Sequence, residues 1–82
     1  MRTVTFDPNV SEELYEIYGG AAIADEAMEA IVFTLSRDPS QGQEIGHGFW
    51  VIEHAGIGIW KKLKFYYCFD DQEVWVQAVV PS

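Results

Sequence analysis

Lys62, Lys64, Tyr66 and Tyr67 fall close together in the run KKLKFYYCFDD over 61–71. Ammonium groups at this spacing could hold a phosphate, and a nearby phenol could donate or accept a proton-bearing hydrogen bond. Trp60, Tyr66 and Trp75 offer aromatic surface that could stack on bases or bury against a partner, with Gln77 beside them. Aromatic side chains are favoured interface anchors. His47 and His54 titrate in the range useful for acid–base work, but no His-x-x-x-His or His-Asp spacing organises them with the acids. No metal and no cofactor are expected. Cys68, the single cysteine, excludes an intramolecular disulfide and reads as a small, half-buried hydrophobe.

The stretch that must position these residues is Gly58–Val80, which reads as two strands around an acidic turn at Asp70-Asp71-Gln72. Side chains alternate faces along a strand. Ile59, Lys61, Leu63, Phe65, Tyr67 and Phe69 therefore form a core side, and Trp60, Lys62, Lys64, Tyr66 and Cys68 the opposite one. On the second strand the same alternation sends Val74, Val76, Ala78 and Val80 to the core and Glu73, Trp75 and Gln77 outward. The even set of the first strand mixes cations with aromatics, which a merely solvated face does not need.

Upstream, Val4 and Phe6 alternate in a short strand at 2–6 that ends at Asp7-Pro8. Val10, Leu14, Ile17 and Tyr18 recur at helical spacing and predict a helix over 9–18, with Asp7 or Asn9 as its cap. Gly19-Gly20 breaks it. Ile23, Ala27, Ala30, Ile31, Thr34 and Leu35 predict a second helix over 21–37, stopped by Asp38-Pro39. The Gly-rich residues 38–48 read as a loop, and 49–55 as a strand whose facing the sequence leaves ambiguous, since both sides are largely apolar. Helices grouped ahead of antiparallel strands predict an α+β domain, β-α-α-β-β-β, with a helical hairpin covering one face of an antiparallel sheet. The other face is expected to stay open.

With 82 residues the chain is expected to form a single domain over 1–82, and 49% hydrophobic residues supply a core. Thirteen acids against five Lys and Arg give a net charge of −8. A field of that sign repels phosphate backbones, so RNA or a ribosome is disfavoured as a partner. No run is apolar enough for a membrane span or signal peptide, which predicts a cytoplasmic location and no membrane partner.

LKFYYCFDDQEVWVQAVV (63–80) resembles the hairpin Y-R-x-x-Y-x-x-D-D-x-x-V-x-V-x-x-V of the RelE/ParE superfamily of bacterial toxin components. Lys64 stands where the family usually has Arg, Tyr67 where it has Tyr, and Asp70-Asp71 at its turn; Ile31…Leu35…Pro39…Gly42 is similar to its helix exit. The resemblance spans nearly the whole element order. It implies either a metal-independent, ribosome-dependent mRNA endonuclease or a gyrase inhibitor, held inactive by an antitoxin. In the endonuclease branch Lys62, Lys64 and Tyr66 or Tyr67 would orient the 2′-hydroxyl, take its proton and stabilise the phosphorane-like transition state. Three departures stand against activity: Cys68 in place of a second basic residue, an end at Pro81-Ser82 where members commonly continue into a basic tail, and the acidic charge. The expected function is therefore that of a toxin-like domain, attenuated or inactive, that binds an antitoxin-like protein. Trp60, Lys62, Lys64, Tyr66, Trp75 and Gln77 would form its binding face. The alternatives are the endonuclease and a non-toxic module that self-associates as a dimer through the same face.

Overall fold

The computed structural model describes residues 1–54 and 62–81. Strand β1 (Thr3–Phe6) leads into helix α1 (Pro8–Tyr18) and helix α2 (Ala21–Arg37). A 3-10 turn (Pro39–Gln41) and strands β2 (Gln43–Gly46), β3 (Phe49–His54), β4 (Leu63–Phe69) and β5 (Glu73–Pro81) complete the chain. Asp7 is the cap of α1: its carboxylate accepts from the Asn9 N–H at 3.0 Å, and Pro8 follows at the first helical position, where its missing N–H costs nothing. Gly19 closes the helix in the left-handed region (φ 72°), and the Gly20 N–H donates to the Tyr15 carbonyl at 3.0 Å. Asp38, held extended by the following proline, ends α2 and then caps the 3-10 turn through Ser40. No helix among the described residues is long and apolar enough to cross a membrane.

The domain is α+β, with both helices against one face of a five-stranded sheet ordered β1-β5-β4-β3-β2. Strands β2 to β5 pair antiparallel, while β1 lies parallel to β5. The first strand thus sits beside the last, and the sheet is mixed. One strand is added to the expected order. Residues 43–46, read as loop, pair with β3 across a turn at His47-Gly48, where both residues take positive φ. That strand carries no apolar alternation of its own; its pairing comes from the edge of β3.

The core gathers Val10 and Leu14 of α1, Ala24, Ile31 and Leu35 of α2, and Leu63, Phe65, Tyr67, Val74, Val76 and Val79 of the sheet. The facing of β3 is settled by its register: Trp50, Ile52 and His54 lie opposite Tyr67, Phe65 and Leu63, on the helix side. On β5 the expected alternation holds only to Val76. The register slips between Tyr66 and Tyr67, so that Ala78 pairs with Tyr66 and Val79 with Phe65. A bulge inserts one residue and reverses which side chains face inward. Val79 is therefore in the core at 5% exposure, whereas Val80, expected inside, is 39% exposed and Ala78 joins the outer face. Val79→Ala should cost about 1–3 kcal/mol and Val80→Ala less than about 0.5 kcal/mol in urea unfolding. Equal costs would show the bulge to be misplaced.

The β4–β5 turn is built by Asp70, whose carboxylate accepts from the Gln72 and Glu73 N–H groups, each at 2.8 Å. These bonds hold its pKa below the usual Asp value, with the nearby Arg2 adding to the effect. Arg2 Nε also donates to the Asp70 carbonyl at 2.7 Å, tying the start of β1 to this turn. A depressed folded-state pKa means stability present above the ordinary Asp value of about 3.9 and lost as pH falls through the lower folded value. The Tm gap between wild type and Asp70→Asn should be widest near neutrality and close below about pH 4. A gap independent of pH would remove the charge from this account.

Candidate functional site

The sheet face opposite the helices is the candidate site. Cross-strand register sets its side chains in three rows: Thr5–Trp75–Cys68, Ala78–Tyr66–Val51–Gln43, and Val80–Lys64–Glu53. Directly opposed side chains lie about 5 Å apart and act as one surface. Trp75 (36% exposed) and Val80 are open to solvent; Tyr66, Cys68, Val51 and Ala78 are half-buried by one another. Gln77 is exposed at the bulge. Lys62 is exposed immediately before β4. Trp60, expected to complete the aromatic group, lies outside the described residues, as does Lys61.

Tyr67 is a correction. A catalytic candidate by residue type, it lies fully buried on the helix side of β4 and its hydroxyl donates to the Pro39 carbonyl. Burial pushes the phenol pKa up, Asp38 adds to the rise, and a backbone hydrogen bond from Gly42 offsets part of it. Such a group neither meets substrate on the open face nor gives up its proton readily. Adjacent residues of one strand cannot share a face, so of the two tyrosines Tyr66 alone joins Lys64.

Lys64 faces Glu53 across the β3–β4 pair. Both line a shallow groove of about 390 Å³ with Gln41, Gly42, Gln43, Val51 and Ile52. A carboxylate beside the ammonium weakens its attraction for phosphate. His54 is half-buried on the helix side, and desolvation holds its pKa below the usual histidine value. His47 is exposed in the β2–β3 turn, away from it in the strand register. Among the described residues no cluster of His, Cys, Asp and Glu could hold a metal.

Val51, Ala78 and Val80 belong to the outer face but were not singled out from sequence as part of a site. The ambiguous facing of β3 hid the first, and the bulge hid the other two. Comparison with protein-family models, curated proteins and solved structures gives no match for this chain.

Proposed function

We propose that this chain is a toxin-like protein-binding domain of the RelE/ParE kind, which docks a segment of an antitoxin-like partner on its open sheet face. One observation carries the reading: Trp75, Tyr66, Val51, Ala78 and Val80 form a continuous apolar strip on a face that no described helix covers. Exposed contiguous apolar surface of this kind marks interaction sites. The strip crosses β5, β4 and β3, a width of about 10 Å at the usual strand spacing, which accommodates one helix of a partner. Apolar anchors of that helix would meet Trp75 and Tyr66. Lys64 and Glu53 at one end would fix its direction by charge.

The test is co-expression with the protein encoded in the adjacent reading frame. The two should copurify, and Trp75→Ala and Tyr66→Ala should each weaken the complex by about thirtyfold without loss of fold, as expected of central aromatic anchors. Failure to form a complex, or a complex indifferent to both changes, removes the reading.

The endonuclease alternative draws on Lys64 and Tyr66 sharing a face beside a polar groove. Against it stand the inward Tyr67, Glu53 facing Lys64, and a chain charge of −8. Induced expression separates the two: growth arrest with mRNA cleavage, abolished by Lys64→Ala, would favour the enzyme.

A further inference from the structure

On the opposite side of the sheet, α2 and the edge strand β1 leave an apolar groove of about 680 Å³. Val4 and Phe6 of β1 and Met28, Val32 and Phe33 of α2 line it. Phe33 is 60% exposed and Val32 37%, an unusual position for two large apolar side chains adjacent on a helix. Their surroundings are ordered by charge. Glu29, at the groove rim, lies four residues before Phe33, and Arg37, also at the rim, lies four residues after it. Four residues is about one helical turn, so all three stand on one face of α2. Arg37 is held there: its guanidinium lies 3.8 Å over the Phe33 ring, and one of its N–H groups donates to the Phe33 carbonyl at 3.0 Å.

An acid and a base placed symmetrically about a central aromatic make a self-complementary surface. We infer that the α2–β1 groove is a homodimer interface, occupied by α2 of a second copy running antiparallel about a twofold axis at Phe33. The axis superposes the two Phe33 rings over the groove and sets each Arg37 against Glu29 of the partner subunit. Residues paired in this way meet reciprocally, as a twofold interface requires. The net charge of −8 per chain opposes association at long range. At physiological salt that repulsion is screened beyond about 8 Å, while the paired rim charges act at contact. The groove lies on the helix side, so such a dimer leaves Trp75 and the open face free, and this inference is independent of the proposed partner binding.

Sedimentation velocity on the full chain at physiological salt, from micromolar to near-millimolar, tests it. The mass should rise from that of the 9.3 kDa chain toward twice that value. Phe33→Glu should stay monomeric throughout. Arg37→Glu and Glu29→Arg should each raise the dissociation constant by about tenfold or more. The two changes combined should restore it to near wild type, because the twofold again opposes unlike charges. Arg37 is exposed and outside the buried core, so should Phe33→Glu misfold, Arg37→Glu and the charge swap decide alone. A monomer at every concentration, a swap that fails to restore association, or a dimer that ignores these changes and dissociates with Trp75→Lys would each overturn the inference.

Discussion

Gly42→Ala should destabilise the domain by about 3 kcal/mol, at the upper end of overpacking effects. The backbone at Gly42 is extended (φ −76°, ψ −164°), a conformation alanine adopts freely, so the cost is not torsional. It is steric. An added methyl group would overlap the Tyr67 hydroxyl and lie 2.5 Å from the Val51 carbonyl oxygen. Neither neighbour can yield cheaply: Val51 belongs to the strand pairs on both sides of β3, and Tyr67 is fully buried with its hydroxyl bonded to Pro39. For a domain whose whole stability is about 4–12 kcal/mol, a loss of this size populates the unfolded state visibly on warming.

The two neighbours can be separated. Tyr67→Phe alone should cost about 1–2 kcal/mol, since the Pro39 carbonyl loses its donor. Gly42→Ala placed in that background should cost less than it does in wild type, because one of the two overlaps is gone. Urea denaturation of the four proteins measures the coupling directly. Additive costs, or a neutral Gly42→Ala, would mean that the crossing of the 3-10 turn over β3 and β4 is looser than described.

Phe65→Ala should be still more damaging, at about 3–5 kcal/mol. Phe65 is fully buried at the centre of β4, between Ile52 on β3 and Val79 on β5, and belongs to the cluster with Leu14 and Leu35 of the helices. Removing the ring opens a cavity where both layers meet. Tyr66, the next residue, points to the other side of the sheet, and Tyr66→Ala should cost only about 1 kcal/mol. The contrast between neighbours is the readout. Calorimetry or urea unfolding giving similar losses for both would place Phe65 outside the shared core.

The same contrast separates what could be read in the amino acids from what could not. Along β4 the alternation of Leu63, Phe65 and Tyr67 with Lys64, Tyr66 and Cys68 was legible because a strand has period two and β4 itself carries no inserted residue. The helices were legible for a similar reason. Val10 and Leu14, and Ala27, Ile31 and Leu35, repeat at the spacing that buries one stripe, and Asp7-Pro8, Gly19 and Asp38-Pro39 mark the ends in local chemistry. From these came the α+β class, the helical cover on one face, and the placing of Lys64, Tyr66 and Trp75 together on the other.

Pairing was not legible. Which strand lies beside which is decided by contacts between residues far apart in the chain, so the parallel placing of β1 next to β5 carried no local mark. Strand β2 exists because β3 offers it an edge. The bulge that brings Val79 inward and turns Val80 outward is a mismatch between two strands, and neither strand alone records it. Tyr67 shows the point most sharply. Its side of β4 follows from the alternation, but only the folded chain brought Pro39 and Gly42 to its hydroxyl. Local sequence determined the two helices and the alternation of β4, because periodicity and capping act over a few residues. Register, edge pairing and the company each polar atom keeps were decided by the tertiary structure, because they depend on distances the chain closes only when it folds.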